Sequence, residues 1–226
     1  MNKIEAYKSL ANIFSENGYS LYLVGGSVRD YLLFDEIYDL DVATDATPDE
    51  IKSFYNGKAT YTFEKYGAAT IHFEGFRFDV TTLREESDYL DSRHPGKVKF
   101  VRDISIDVFR RDLTINSLYM DKNMEIFDFT GGVKDLNDKV LRMIGEADKR
   151  IKEDPLRILR TIRFKLTYKF SYDDNLKKAM LNNIGLINNL NKNKILEEIK
   201  KTKMSKDELW EEFNNFHITY LLDMIN

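Results

Sequence analysis

The sequence changes character near its middle, and this change constrains the fold more than any other feature. Up to about residue 140, short apolar runs alternate with helical patterns, whereas from about residue 153 the apolar spacing stays helical to the end. We therefore predict an α+β fold, in which residues 1–140 form a mixed sheet with helices and residues 141–226 form a helical second domain.

The amino-acid composition limits the kinds of catalytic site, metal site and partner that the chain can have. The 226 residues include no cysteine and only three histidines, which excludes thiol nucleophiles, disulfide frameworks and zinc cages, so carboxylates must hold any metal. The net charge of -4 means that any nucleic-acid contact must be local. No apolar run approaches membrane-spanning length and the first residues do not resemble a secretory signal, so we expect a cytoplasmic protein without a membrane partner.

Two glycines separate a predicted strand from a predicted helix. Residues 21–24 are apolar, Gly25 and Gly26 follow, and a helical pattern begins at Ser27. Backbone N–H groups at such a helix start favour an anion such as a triphosphate, to which Arg29, one turn later, can add a bidentate contact. The pattern is equally typical of an ordinary strand-to-helix turn, because it lacks the remaining residues of a P-loop or a dinucleotide fingerprint.

Residues 38–44 alternate polar and apolar side chains and are predicted to form a strand. Asp39 and Asp41 would then point to one face, where two carboxylates can hold a hard divalent cation. With 38 acidic residues in the chain, acid-x-acid pairs occur by chance about six times, so a solvated strand edge explains this pair as well.

A hairpin with a Glu-Gly turn is predicted for residues 68–73 and 76–82. Asp79 lies among phenylalanines in its second strand, where an unpaired acid would be costly to bury. Three strand carboxylates can together bind two Mg²⁺ ions for an in-line displacement at phosphorus. The alternative is that Asp79 pairs with Arg77 or Arg84.

Residues 107–119 are predicted to form a helix that carries a polar cluster. In a functional interpretation, Arg110 and Arg111 bind phosphates, Asp112 binds a ribose hydroxyl, and Asn116 lies beside them. A surface ion-pair cluster is the alternative.

A second polar motif opens the helical domain. Asp154 is predicted as the N-cap and Pro155 as the first residue of a helix, roles that by themselves explain both residues. Arg157 lies three residues later on the same side, so the Asp154–Arg157 pair matches the hydrogen-bonding edge of cytosine or adenine and mismatches uracil and guanine. Arg160 and Arg163 continue a basic stripe that is equally typical of a solvated helix face.

Taken in order, these motifs resemble the class II tRNA nucleotidyltransferases, which comprise the CCA-adding enzymes and the bacterial poly(A) polymerases. The resemblance extends from about residue 20 to residue 165. It is carried by Leu23-Val24-Gly25-Gly26-Ser27-Val28-Arg29-Asp30, Asp39-Leu40-Asp41-Val42-Ala43-Thr44, Arg110-Arg111-Asp112-Leu113-Thr114-Ile115-Asn116 and Glu153-Asp154-Pro155-Leu156-Arg157-Ile158-Leu159-Arg160.

The resemblance implies a polymerase-beta-like nucleotidyltransferase head in residues 1–140, followed by a helical neck and a reduced body in residues 141–226. It implies Mg²⁺ as cofactor, Asp39 and Asp41 as metal ligands, and Asp79 as a third catalytic carboxylate.

The resemblance also implies how a nucleotide is bound: the head holds the triphosphate and ribose, Asp154 and Arg157 select the base, and Glu153 orients Arg157. The implied nucleotide-binding residues are Gly25, Gly26, Arg29, Arg111, Asp112, Asn116, Glu153, Asp154, Arg157 and Arg160.

Residues 84–99 are polar, contain a Pro-Gly pair and are predicted to form an exposed loop. In the family this segment is the flexible element used in switching from cytidine to adenosine addition. Enzymes that add only CC lack much of it, so its presence here favours CCA or A addition.

The predicted function is template-independent addition of CMP and AMP from CTP and ATP to the 3′ end of tRNA. Two alternatives stay open: an enzyme that adds only A, such as a poly(A) polymerase, and a non-catalytic RNA- or nucleotide-binding module. Because the chain ends at Asn226, we expect most of the family's tRNA-gripping body and tail to be missing, and a homo-oligomer or a partner chain to replace them.

Overall fold

A computed structural model describes residues 1–34, 36–89 and 95–224. The described residues form two compact units. The first contains residues 1–88 and 95–136, and the second contains residue 89 and residues 137–224. The assignment of these units to a catalytic head and to a neck with a reduced body stays a prediction.

Helices and short strands alternate in the first unit, and helices dominate the second. The helices are α1 (Lys3–Glu16), α2 (Gly26–Phe34), α3 (Pro48–Phe54), α4 (Ile104–Asp107), α5 (Gly132–Asp138), α6 (Ala147–Glu153), α7 (Leu156–Tyr168), α8 (Asp174–Asn183), α9 (Lys192–Lys200) and α10 (Lys206–Asn215). The strands are β1 (Leu21–Val24), β2 (Asp41–Thr44), β3 (Lys58–Phe63), β4 (Ala68–Phe73), β5 (Phe76–Thr82), β6 (Arg84–Tyr89), β7 (Pro95–Phe100), β8 (Tyr119–Met120), β9 (Ile126–Phe127), β10 (Val140–Leu141) and β11 (Ser171–Tyr172). Short 3-10 helices lie at Glu64–Tyr66, Val108–Arg110, Thr114–Asn116, Ile184–Asn189 and Thr219–Met224.

The first unit is built on a seven-stranded sheet with the strand order β3-β4-β5-β2-β1-β8-β9. Strands β2 and β5 run parallel, whereas the other neighbouring pairs run antiparallel. Such a mixed sheet with helices confirms the predicted α+β class. The parallel pair brings two segments 38 residues apart into register, with Asp41 opposite Asp79.

Local signals set several boundaries as the sequence predicts. The Thr47 hydroxyl accepts a hydrogen bond from the Glu50 amide, and the Glu50 carboxylate accepts one from the Thr47 amide, so the predicted helix start at α3 is confirmed. The turn between β4 and β5 has positive φ at Glu74 (50°) and Gly75 (80°). Both residues thus adopt the left-handed backbone of a two-residue hairpin turn, as predicted.

The core of the first unit lies between the sheet and its helices. The Tyr7 hydroxyl on α1 lies 2.9 Å from the carbonyl oxygens of both Leu21 and Met120, which share its single hydrogen, and this contact fixes the helix to β1 and β8. A further apolar cluster contains residues of β1, β2 and β8. Its buried members are Val24, Ala43, Leu83, Ile104, Val108 and Tyr119.

Two predictions about the strands and loops of the first unit are wrong, and one strand was not predicted. The strand predicted for residues 38–44 begins only at Asp41, because the Ser27 hydroxyl binds the backbone around Asp39 and Asp41. The loop predicted for residues 84–99 is largely two strands, β6 and β7, which pair with each other; residues 90–94 lie outside the described part of the chain. Strand β3 was not predicted, although Lys58–Phe63 alternates polar and apolar side chains, so sequence analysis missed a detectable signal.

The helix predicted for residues 107–119 is also wrong. Helix α4 ends at Asp107, two separate 3-10 turns follow, and Tyr119 joins the sheet. The Asp112 carboxylate accepts a hydrogen bond from the Leu113 amide at 2.7 Å, a local contact that competes with helical hydrogen bonding.

The second unit is helical apart from β10 and β11, which pair in parallel and interrupt the all-helical pattern predicted for this region. Buried ion pairs join its helices: Glu198 binds Arg163, and Glu212 binds Lys165 and the Tyr172 hydroxyl. No helix in the described ranges combines the length and apolarity needed to cross a membrane.

Candidate active site

Carboxylates meet where the two parallel strands of the sheet lie side by side. The register pairs Asp41 on β2 with Asp79 on β5, and Asp39 precedes β2 by two residues. The Asp79 amide donates to the Leu40 carbonyl at 2.9 Å, so the backbone between the two N-terminal aspartates is fixed against β5. The structure therefore brings together the three acids that the sequence singles out.

Negative charge is concentrated at Asp41. Burial has the largest effect on the pKa of Asp41, the carboxylates of Asp39 and Asp79 raise the pKa further, and the result is about 6. The guanidinium groups of Arg29 and Arg111 lower the pKa of Asp41 but do not offset this rise. A bound cation would relieve the repulsion, so the electrostatics of the cluster suit a metal ion.

The surroundings of the Asp79 side chain differ from those that the sequence predicts. Its side chain is 49% exposed, because β5 buries Phe78 and Val80 on the opposite face. The carboxylate accepts hydrogen bonds from the Thr70 hydroxyl at 3.0 Å and from the Arg77 guanidinium at 2.9 and 3.1 Å. The argument from a costly buried acid was therefore wrong, and pairing with Arg77 is present, while the role of Asp79 as a third catalytic carboxylate stays a prediction.

The glycine turn lies directly beside this cluster. Gly25 has a φ of +59°, in the left-handed region, and its amide donates to the Leu118 carbonyl at 3.1 Å. A Cβ at Gly26 would lie 3.4 Å from Arg29 Nη2 and 3.8 Å from Asp41 Oδ2. The missing side chain thus keeps open a small space between a guanidinium and a carboxylate at the start of α2.

Arg29 is held rigidly in this position. It is only 6% exposed, and its guanidinium donates to Asp30 Oδ1 at 2.9 Å and to Asn116 Oδ1 at 2.5 Å. The Asn116 amide donates in turn to Asp112 Oδ1 at 3.2 Å. Asn116 and Asp112 therefore join the α2 side of the site through Arg29, although the helix expected to carry them is absent.

Arg111 also lies beside this turn. Its Nη1 atom is 3.6 Å from the position that a Cβ on Gly25 would occupy. Its Nε and Nη2 atoms contact Asp107 and the Tyr119 hydroxyl. The first unit thus gathers two arginines and two glycines around the aspartate cluster.

The predicted base-reading motif lies in the second unit, between α6 and α7. Arg157 is 6% exposed, and its Nη1 donates to the Arg150 carbonyl at 2.6 Å and contacts the Glu153 carboxylate at 3.4 Å. The Glu153 carboxylate accepts a shorter hydrogen bond from Arg150, at 2.6 Å. The Glu153 carboxylate thus contacts Arg157, but its hydrogen bond to Arg150 is the shorter of the two.

The helix start at this motif differs by one residue from the prediction. Helix α7 begins at Leu156 with Pro155 as the cap, yet Asp154 Oδ1 still accepts a hydrogen bond from the Leu156 amide at 3.1 Å. One turn later, the Arg160 guanidinium lies over the Phe164 ring, 5.8 Å from its centroid.

Sequence analysis did not identify two buried residues that organise the site. Ser27 Oγ donates to the Asp39 carbonyl at 2.7 Å and accepts from the Asp41 amide at 2.9 Å, so it fixes the backbone of both aspartates. Asp107 binds Arg110 and Arg111. Its spacing of three and four residues from these arginines is a detectable signal, whereas nothing in the sequence shows where the Ser27 hydroxyl points.

Comparison with known proteins identifies the family of this chain. A family model described as the Poly A polymerase head domain matches residues 21–142, just over half of the chain. The chain is 40% identical over 194 residues to the CCA-adding enzyme of Staphylococcus haemolyticus, covering 86% of this chain and 48% of that protein. It is 41% identical over 187 residues to the CCA-adding enzyme of Lactobacillus johnsonii, covering 83% and 47%. The chain spans about half the length of the curated relatives it matches.

Solved structures agree with the sequence relatives. The Bacillus stearothermophilus CCA-adding enzyme in complex with CTP matches with a TM-score of 0.80 at 30% identity, covering 89% of this chain and 49% of that one. A tRNA nucleotidyltransferase complexed with a primer tRNA and an incoming ATP analog matches with a TM-score of 0.76 at 26% identity, covering 94% and 62%. The resemblance inferred from the motifs is confirmed: the chain belongs to the family of the Poly A polymerase head domain.

Proposed function

We propose that this chain is a Mg²⁺-dependent nucleotidyltransferase that adds CMP and AMP from CTP and ATP to the 3′ end of tRNA. The observation that carries the proposal is the space at Gly26, which lies between the Arg29 guanidinium and the Asp41 carboxylate. An arginine for phosphate and a carboxylate for metal thus meet at one helix start, as nucleotidyl transfer requires. Relatives named CCA-adding enzyme, and solved structures with CTP or with primer tRNA, support tRNA and nucleotides as substrates.

The donor set fits Mg²⁺. Magnesium prefers carboxylate oxygens, and proteins usually supply one or two of them while water and substrate phosphates complete the shell. Asp39 and Asp41 provide such a pair, and burial together with repulsion from Asp39 and Asp79 raises the pKa of Asp41 to about 6. In the part of the chain that the structure describes, no three His, Asp or Glu side chains form a ready-made metal cage. Magnesium bound there would supply Lewis-acid stabilisation of charge at phosphorus.

The residues of the first unit account for binding and charge stabilisation. In the proposed reaction, the RNA 3′ hydroxyl loses its proton to water and its oxygen forms a bond to the α-phosphorus of the nucleotide. The bond from the α-phosphorus to the oxygen that bridges to the β-phosphorus breaks, and pyrophosphate leaves with that oxygen. Arg29 and Arg111 stabilise the triphosphate and the departing negative charge, while Asp112 and Asn116 bind the ribose side of the nucleotide.

Base choice is assigned to the second unit. Cytosine and adenine each offer an exocyclic amine beside a ring-nitrogen acceptor, which match the Asp154 carboxylate and the Arg157 guanidinium respectively. The contact between Glu153 and Arg157 supports a fixed orientation for that guanidinium. Arg160 is assigned to the same nucleotide-binding surface.

Two alternatives compete with this proposal. An enzyme that adds only A, or a poly(A) polymerase, would use the same base edge, because Asp154 and Arg157 accept ATP. A non-catalytic RNA- or nucleotide-binding module would retain the fold without the chemistry. The presence of residues 84–99 in the sequence favours CCA or A addition over CC addition, because the family's CC-adding enzymes lack much of this segment. Cytoplasmic location and a partner chain or homo-oligomer stay predictions.

Pyrophosphate release separates an enzyme from a binding module. The protein is mixed with a tRNA transcript lacking CCA, with CTP and ATP, and with Mg²⁺ or EDTA. We expect pyrophosphate only when RNA, nucleotide and Mg²⁺ are all present. RNA binding without pyrophosphate release under any of these conditions would support the binding module instead.

Replacing Ser27 with alanine tests how the aspartates are positioned. The substitution removes the hydroxyl that binds the backbone at Asp39 and Asp41. We expect the single-turnover rate of nucleotide addition to fall by about 10- to 100-fold, because small displacements of catalytic groups are costly. Ser53→Ala is the matched control, because the Ser53 hydroxyl binds only the exposed Glu50 carbonyl of its own helix in the described contacts. Equal rates for the two variants would show that Ser27 does not position the aspartates.

A further inference from the structure

A fully buried carboxylate in the first unit has no part in the function proposed so far. Asp107 is 0% exposed and accepts hydrogen bonds from the Arg84 amide at 2.8 Å and the Tyr119 hydroxyl at 2.5 Å. It also pairs with two guanidinium groups, those of Arg110 at 2.8 Å and Arg111 at 3.1 Å. A single carboxylate thus joins the first residue of β6, the 3-10 turn and the sheet.

We propose that Asp107 is a positioning residue that holds Arg111 over the Gly25 turn for contact with the nucleotide triphosphate. This inference rests on the proposed function, which assigns Arg111 to phosphate. Asp107 itself contacts no substrate in this proposal. Its effect passes through the guanidinium that it binds.

The geometry of Arg111 supports this role. A guanidinium is a rigid planar fork, so fixing one edge of it fixes the direction of the rest. Asp107 and the Tyr119 hydroxyl bind the edge formed by Nε and Nη2, at distances between 2.9 and 3.3 Å. The Nη1 atom is the one that approaches Gly25. The side chain also stacks on the Tyr119 ring, with 4.8 Å between the guanidinium carbon and the ring centroid.

The same contacts keep the Asp107 carboxylate negatively charged. Burial by itself raises the pKa of Asp107, but Arg110 and Arg111 outweigh burial and hold that pKa at about 2. The carboxylate is therefore ionised at neutral pH. Arg110 also pairs with Glu86 at 3.7 Å, so Asp107 is the acid that contacts both arginines of this turn.

The Asp107→Asn variant tests the proposal, because asparagine keeps the size of the side chain and removes its charge. We expect the dissociation constants of CTP and ATP, measured without RNA, to rise by about 10- to 100-fold, the usual cost of removing a residue that orients a binding group. Cytidine has no phosphate, so its weak binding should be unchanged. A loss that affects CTP and cytidine equally would indicate general distortion of the site and would overturn the proposal.

Arg111→Ala and the double variant separate this proposal from the proposed function. If Asp107 acts through Arg111, the double variant should bind CTP no more weakly than Arg111→Ala alone. If Arg111→Ala leaves CTP affinity unchanged, the assignment of Arg111 to phosphate fails, and the positioning role fails with it. If Arg111→Ala weakens CTP binding but folded Asp107→Asn does not, the positioning role alone is overturned.

A control variant and a substitute for Asp107→Asn complete the test. Glu198→Gln removes a buried carboxylate that binds Arg163 and Lys201 in the second unit, so it should lower the melting temperature without weakening CTP binding. If Asp107→Asn does not fold, Tyr119→Phe replaces it, because this change removes the hydroxyl that accepts from Arg111 Nε at 2.9 Å. A folded Tyr119→Phe protein should bind CTP several-fold more weakly, and unchanged affinity would overturn the proposal.

Discussion

The Asp41→Asn variant is expected to lose at least about a thousandfold in the single-turnover rate of nucleotide addition, because it removes a charged metal ligand without changing the size of the side chain. Asp41 lies in register with Asp79, and burial together with neighbouring acids raises its pKa to about 6. Asparagine would relieve the repulsion among these acids, so the variant should fold normally. Rapid-quench measurements with saturating CTP, Mg²⁺ and a tRNA transcript lacking CCA would give the rate.

The control for this variant is Asp49→Asn, which makes the same chemical change at a 92% exposed side chain on α3. It should retain the full rate. Asp39→Ala combined with Asp41→Ala should abolish activity while leaving RNA binding intact. An Asp41→Asn protein that keeps the parent rate would contradict the assignment of this carboxylate to the metal.

Base selection should depend on Arg157. Arg157→Ala should lose both rate and discrimination, with preference for CTP and ATP over UTP and GTP falling by about 5- to 150-fold, the equivalent of about 1–3 kcal/mol for one base-specific hydrogen-bonding pair. The physical reason is polarity: the arginine donates to a ring nitrogen that is an acceptor in cytosine and adenine but carries hydrogen in uracil and guanine. Competition among the four nucleotides in single-addition assays would measure the change.

Arg142→Ala serves as the comparison for base selection. Arg142 is also a basic residue of the second unit, but it is 45% exposed and pairs with Asp173 outside the motif. Its removal should leave nucleotide preference as it is. Full selectivity in the Arg157→Ala protein would show that the base is read by other groups.

Short-range chemistry explains which parts of the fold were predictable. The strand, glycine turn and helix around Gly25, the cap at Thr47 and the hairpin turn at Gly75 all depend on residues within a few positions of one another. Strands β3, β6 and β7 also pair with nearby segments, β3 with β4 and β6 with β7. Sequence analysis missed the alternation in β3, and the charged residues of β6 are atypical of a strand. Residues 107–119 have helical apolar spacing, yet tertiary contacts draw Tyr119 into the sheet.

The sequence predicted those site residues that belong to recognisable motifs. The motifs identify Asp39, Asp41 and Arg29, and the structure gathers them. Their supports come from residues whose function depends on three-dimensional proximity: the Ser27 hydroxyl reaches backbone 12 to 14 residues away, and Asp107 acts only once the chain has folded back on itself. The sequence argument about Asp79 failed because alternation in β5 places it on the more exposed face.

Stepwise extension of tRNA tests the central claim most directly. Transcripts ending before CCA, after C and after CC are each incubated with the protein and Mg²⁺, with CTP, ATP or both, and the products are resolved and sequenced. With CTP alone, the proposed function predicts two added C residues on the transcript that ends before CCA and one on the transcript that ends after C. It predicts completion to CCA with both nucleotides, and addition of one A to the CC-ended transcript with ATP. Addition of A alone at the CC end, with no use of CTP on any transcript, would contradict CCA addition and support an A-adding enzyme.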